Sequence, residues 1–141
     1  MLYKLLLVLS IITVPAAAWS STLQDNMDGT VSDKATGLTW QQQDDATRRN
    51  WKSARDYCKA LSLGEHSDWR LPDPSELSSL VVYKESNPTI DENAFPATQS
   101  SGYWSGSSMD GNSWRAWYVD FHFGPVDFSR KTQSHYVRCV R

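Results

Sequence analysis

Cys58 and Cys139 are the only cysteines in this 141-residue chain, and they follow an N-terminal export signal. The first falls in a predicted helix from Trp51 to Leu61, the second in the closing run Tyr136-Val137-Arg138-Cys139-Val140-Arg141. In an oxidising compartment such a pair reads as one long-range disulfide tying an early helix to the terminal strand. Closing a loop of roughly eighty residues destabilises the unfolded chain by about 4.5 kcal/mol in the chain-entropy picture. A small domain can depend on a contribution of that size.

The export signal is read from Met1-Leu2-Tyr3-Lys4, the apolar run Leu5 to Val14, and the small residues of Pro15-Ala16-Ala17-Ala18. The run is too short to span a membrane. Cleavage is expected after Ala18, so the mature chain starts near Trp19 and meets the membrane only during export. Its destination is then the periplasm or the medium. No cysteine stands near the cleavage point to take a lipid. The expected organisation is a signal peptide over 1–18, a short segment over 19–24, and one domain over 25–141. About 120 residues suffice for a single core.

Net charge is −2, and no basic run exceeds Arg48-Arg49 or Arg130-Lys131, so nothing resembles a nucleic-acid footprint. On net charge alone, attachment to polyanions is not favoured. Seven tryptophans and six tyrosines supply large buried area to a chain with few aliphatic residues.

Asp25 to Val31 reads as a turn entering a strand, Asp33 to Gly37 as a second turn, and Leu38 to Gln41 as the returning strand of a hairpin. Gln42 to Asn50 is polar loop. Trp51, Ala54, Cys58 and Leu61 form one helical stripe with Asn50 as N-cap, and Gly64 stops the helix. Asp73-Pro74-Ser75-Glu76 predicts a second helix, with an acidic cap, proline at its first position and glutamate three after the cap. Leu77, Leu80 and Val81 would be its buried face. From Asn87 onward the chain is turn-rich, with strands expected at Tyr103 to Ser105, Trp114 to Phe121, Val126 to Ser129 and Tyr136 to Arg141. Helices early and antiparallel strands late predict an α+β domain.

Several motifs occur in order: Asp28-Gly29-Thr30-Val31-Ser32-Asp33, Thr36-Gly37-Leu38-Thr39-Trp40, and Ser67-Asp68-Trp69-Arg70-Leu71-Pro72 with Glu76-Leu77. They continue in Tyr103-Trp104-Ser105, Ala116-Trp117-Tyr118-Val119-Asp120-Phe121 and the closing Tyr136 to Arg141. In these, from about Asp25 to Arg141, the chain resembles the Lcl C-terminal domain family of exported bacterial proteins. The resemblance implies a C-type-lectin-like fold: two helices flanking a twisted antiparallel sheet, a long loop region carrying ligands, and a disulfide from first helix to last strand. The best-known member is a trimeric adhesin domain for sulfated glycosaminoglycans, which implies a carbohydrate-binding role and leaves self-association open. This sequence departs from it in its acidic balance and in having no Gly-X-Y repeat.

Calcium-dependent sugar binding needs a Glu-Pro-Asn or Gln-Pro-Asp triplet and a Trp-Asn-Asp, and none occurs. Asn26, Asp28 and Gly29 mimic an EF-hand loop, but Ala35 stands where its bidentate glutamate belongs. The oxidase chemistry of the formylglycine-generating type needs site cysteines beyond the structural pair. His66, His122 and His135 lack ligand spacing and read as solvated, with a weak site at Asp120, His122 and Asp127 as the alternative. No serine is singled out as a nucleophile. No catalytic residue, metal or cofactor is therefore expected.

Arg70 within Asp68-Trp69-Arg70-Leu71-Pro72 either faces a ligand or pairs with a carboxylate while Trp69 and Leu71 fill the core. Met109 to Arg115 reads as a polar loop ending in an aromatic and a guanidinium. Its Asn112, Trp114 and Arg115, joined by a basic cluster of Arg130, Lys131 and His135, are the candidate ligand residues, unless Trp114 is tucked into the sheet. The expected function is non-enzymatic binding of carbohydrate or another surface polymer without calcium. The alternatives are an envelope module that binds a protein partner and, behind it, an enzyme of unknown type.

Overall fold

The computed structural model describes residues 22–141, so the expected export signal over 1–18 and the start of the segment after it lie outside the described residues. The order is β1 (Leu23–Asp25), β2 (Thr30–Asp33), β3 (Leu38–Gln41), α1 (Trp51–Ala60), α2 (Pro74–Ser78), β4 (Gly102–Met109), β5 (Asn112–Asp120) and β6 (Val126–Arg130). These form two three-stranded antiparallel sheets, β1-β2-β3 and β4-β5-β6. The expected single twisted sheet between two helices is thereby corrected. Strand outweighs helix, and α2 is only five residues long.

Each helix forms for the local reasons its sequence predicts. Asn50 caps α1 by accepting from the Ser53 amide, and Trp51, Ala54 and Cys58 make the buried stripe. Asp73 and Glu76 complete a capping box around Pro74. The helix then tightens: Leu80 and Val81 donate back to Leu77 and Ser78, three residues behind, and the turn ends at Val81-Val82. β-branched residues there lose rotamer freedom in a helix and oppose its extension.

β1 is an element the sequence reading does not contain: Leu23 and Gln24 fall in the short segment over 19–24, and Asp25 opens the predicted turn. The closing segment is the converse case, a predicted strand that forms no regular ladder. It is divided among three partners. Tyr136 bonds Gly102 and Trp104 of β4, Cys139 and Arg141 bond Gln41 and Thr39 of β3, and Val140 bonds Arg70. The same few residues thus join both sheets.

Alternation along β4 and β5 sorts side chains into two clusters. Tyr103, Val119 and Phe121 join Val31, Trp40, Leu77 and Phe95 in one. Trp104 and Ala116, with Tyr118 beside them, join Trp51, Trp69 and the cysteines in the other. Cys58 and Cys139 form the expected disulfide, with Cα atoms 5.6 Å apart and a sequence separation of 81. Trp69 and Leu71 are buried, and Arg70 pairs with Glu76 at 2.8 Å, which leaves α2 and the Asp68–Pro72 run with a structural role.

Candidate functional site

Met109 to Arg115 is not a loop. Met109 ends β4, Asp110-Gly111 makes a two-residue turn, and Asn112 opens β5 directly opposite Met109. Gly111 sits at φ +71°, a conformation that costs a glycine little. The polar composition was that of a hairpin end whose strands project past the core. Beyond that turn, Trp114 is 80% exposed, so it is not tucked into the sheet. The Asn112 side-chain oxygen accepts from the Trp114 amide at 3.2 Å and fixes the backbone that presents the ring.

Residues 111–115, with Arg130 and Thr132 across from them, line a groove of about 660 Å³. Neighbouring β5 side chains point to opposite sides of the strand. Arg115 therefore shares a side with Trp117, and Trp114 shares one with Ala116; both residues still border the groove. Arg115 is paired in register with Arg130 on β6. Like charges directly opposite each other on a sheet are unfavourable. The Arg115 guanidinium lies 5.0 Å from the Phe128 ring centroid, and neither arginine has a carboxylate partner among the described residues.

Lys131 continues the β6 ladder, its amide donating to the Trp114 carbonyl at 2.9 Å. Its ammonium donates to Ser108 Oγ at 2.7 Å and stands 4.0 Å from the Trp51 ring centroid. It is therefore adjacent to the groove rather than in it.

His135 does not belong to the basic cluster, which corrects the sequence expectation. Its ring stacks on Tyr118 at 4.3 Å and meets Trp104 edge-on at 4.5 Å, and both ring nitrogens are buried without a hydrogen-bond partner. Burial, reinforced by the nearby Arg48 charge, pushes its pKa down to about 4. At neutral pH it is an uncharged packing residue.

The strongest buried polar cluster also escaped the sequence reading. Arg138 is fully buried and donates to the carbonyls of Gln41 (3.2 Å) and Gln42 (2.6 Å), to Thr98 Oγ1 (2.9 Å) and to Asp44 Oδ2 (3.4 Å). The Tyr103 hydroxyl donates to the same Asp44 oxygen. Burial pulls the Arg138 pKa down and pushes that of Tyr103 up. Arg138, Asp44, Tyr103 and Thr98 are all buried, and their hydrogen bonds tie the closing segment to the stretch after β3. Only the flanking sequence Tyr-Val-Arg-Cys hinted at an inward-pointing arginine next to the disulfide.

Among the described residues no group of three or more His, Cys, Asp or Glu side chains is placed to hold a metal ion. No helix of the described residues is long and apolar enough to cross a membrane. No curated protein matches the chain. The model of the Lcl C-terminal domain family matches residues 29–141. That span contains the disulfide, both helices and the hairpin groove, and the chain belongs to the Lcl C-terminal domain family.

Proposed function

We propose that this is an exported, non-enzymatic binding domain that recognises carbohydrate or another surface polymer, without calcium, in the groove at the β4–β5 hairpin end. The observation that carries the reading is the Arg115–Arg130 pair, opposed in register and unmatched by any described carboxylate, beside the exposed ring of Trp114. A bound anion relieves the repulsion between the guanidinium groups and accepts their forked hydrogen bonds. The indole face offers a stacking surface for a sugar ring or another flat apolar patch. Asn112 holds that ring in place through its backbone bond.

The fold is read as C-type-lectin-like. Support comes from the disulfide joining α1 to the closing segment and from the long stretch between α2 and β4 that carries no regular element. The N-terminal signal supports a periplasmic or secreted location. A second reading, docking of an envelope protein, is favoured by a specific feature. Val126 and Phe128 on β6 are 41% and 38% exposed, and Phe128 meets Trp117 edge-on at 5.8 Å, giving an apolar strip on an edge strand.

Glycan-array binding of the mature chain separates these. Binding is expected to survive a chelator, weaken with salt, and fall by about thirtyfold or more in Trp114→Ala, as for an aromatic anchor at an interface. Silence on the array with recovery of one envelope protein through the Val126–Phe128 strip supports the second reading instead. Turnover of any substrate that disappears on changing one polar groove residue overturns the non-enzymatic assignment.

A further inference from the structure

The chain contains two Asp-Gly pairs, Asp28-Gly29 and Asp110-Gly111, and each stands where the chain reverses between two antiparallel strands. Such a pair has a chemistry of its own. Glycine carries no Cβ to keep the aspartate carboxyl away from the backbone nitrogen that follows it. Close approach of the two closes a five-membered ring, so the outcome depends on whether the carboxyl and the turn are free to move.

At Asp28 they are not. Its Oδ1 accepts from the Thr30 amide at 3.0 Å and from Thr30 Oγ1 at 2.6 Å, and turning toward the Gly29 nitrogen forfeits both bonds. The backbone is held too: the Gly29 carbonyl accepts from the Gln42 amide at 3.0 Å, beside the Leu63 side chain. Asp110 is the opposite case. It is exposed, and among the described residues its carboxyl makes no hydrogen bond and no ion pair. Gly111 is exposed as well, and its amide donates to no backbone carbonyl among the described residues.

The turn around Asp110 is also lightly held. Met109 opposite Asn112 is the pair that closes it. The next is Ser108 opposite Ala116, so Ser113, Trp114 and Arg115 have no paired residue on β4. Of the two turn residues only Gly111 takes a positive φ, and turns of that unprimed kind splay the strands they join. Few contacts and an exposed backbone mark a segment that opens locally at little cost.

We infer that Asp110 is a site of spontaneous isomerisation, and that the product dismantles one wall of the hairpin groove. The Gly111 nitrogen attacks Cγ of Asp110; a C–N bond forms, and the amide proton and the carboxyl hydroxyl leave as water. A second water then opens the succinimide. Attack at the former side-chain carbonyl restores aspartate. Attack at the former main-chain carbonyl breaks that C–N bond and leaves isoaspartate, with no net change of mass. Isoaspartate adds one methylene to the main chain. A two-residue turn closed by one pair cannot take up the extra atom without losing the Met109–Asn112 register. Asn112 then no longer fixes the backbone of Trp114, and residues 111–115 lose the geometry with which they line the groove. The modification is independent of any ligand; its effect on binding rests on the hairpin-groove reading.

The test is prolonged incubation of the mature chain near neutral pH in heavy-oxygen water, followed by peptide mass spectrometry. Isoaspartate carrying one heavy oxygen is expected at residue 110, about tenfold or more ahead of residue 28, which must first break two hydrogen bonds. Asp110→Glu keeps the charge, would need a larger ring, and is expected to show no such product. Amide signals of Asn112 to Arg115 are expected to move in the aged wild type, while those of buried Trp40 and Trp104 stay. On the glycan array the aged wild type loses signal in proportion to its isoaspartate, and aged Asp110→Glu matches its fresh preparation. Absence of isoaspartate at 110, or equal amounts at 28 and 110, overturns the site. Isoaspartate at 110 with unmoved 112–115 signals or an unchanged array signal overturns its effect on the groove. A fresh chain that is silent on the array defeats the hairpin-groove reading and leaves the mass-spectrometric result intact.

Discussion

His135 shows how far the character of a residue depends on its neighbours. As a sequence position it is a titratable side chain four residues from Lys131, and its basic role seemed natural. In the fold it is closed in by Tyr118 and Asp120 of β5, Gly102 and Trp104 of β4, and the Arg48-Arg49 stretch, whose Arg49 backbone bonds it in both directions. Arg48 opposes its protonation and Asp120 favours it weakly. With a folded pKa of about 4 against an ordinary 6.5, the unfolded chain takes up this proton first. Its contribution to stability is complete above pH 6.5 and is lost as the pH falls from there toward 4. Urea unfolding across that window is expected to show declining stability in the wild type, and His135→Phe should remove part of the decline. An identical pH slope in the variant would contradict the account of this site.

Arg138 teaches the same lesson with a larger energy. Removing Asp44 leaves the guanidinium buried beside a hydroxyl and carbonyls alone, and such a broken pair costs about 3–5 kcal/mol. Asp44→Ala is therefore expected to lower the denaturation midpoint sharply while the helices remain in the folded fraction. Trp114→Ala, at an 80% exposed position, is expected to shift stability by less than about 0.5 kcal/mol.

At the scale of elements, what was legible was what is encoded within a few residues. Asn50 capping α1 and the Asp73–Glu76 box each join groups three positions apart, and the spacing alone reveals them. Asp73→Ala is expected to cost about 1 kcal/mol, read from thermal or chemical unfolding. Strand order and extent were less legible, because their partners are remote. β1 exists by pairing with β2, and the closing segment is held by residues at Thr39, Arg70 and Gly102. No local pattern announces a segment shared by three partners. The hairpin end was misjudged for a related reason, since its residues are polar because they project past the core rather than because they loop.

Gly102 belongs to this scale as well. A Cβ there would lie 2.5 Å from His135 Nδ1 and 2.8 Å from the Tyr118 ring, so the close approach of β4 to the closing segment requires glycine. Gly102→Ala is expected to destabilise by about 1–3 kcal/mol, the usual range for an overpacked core. A variant as stable as the parent would mean the closing segment has room to move.

For the whole molecule, the disulfide and the charge distribution set the outcome. The covalent link was legible from the cysteine count, since two cysteines allow only one intramolecular pairing. The distribution of charge was not, because a net value says nothing about where folding brings cations together. Arg115 and Arg130 are fifteen positions apart in sequence and opposite each other in the sheet. Reduction of the native protein is expected to cost about 2–5 kcal/mol of stability, the usual range for losing a structural disulfide in a small secreted domain.

The central claim is that ligand enters at the hairpin end, between Trp114 and the two opposed arginines. Chemical-shift mapping with the polymer that binds on the glycan array tests it most directly. The account predicts that the Trp114 indole N–H and the Asn112, Arg115 and Arg130 signals move first, while those of buried Trp40 and Trp104 stay in place. Shifts confined to Val126, Phe128 and Trp117, with Trp114 unmoved, would contradict it.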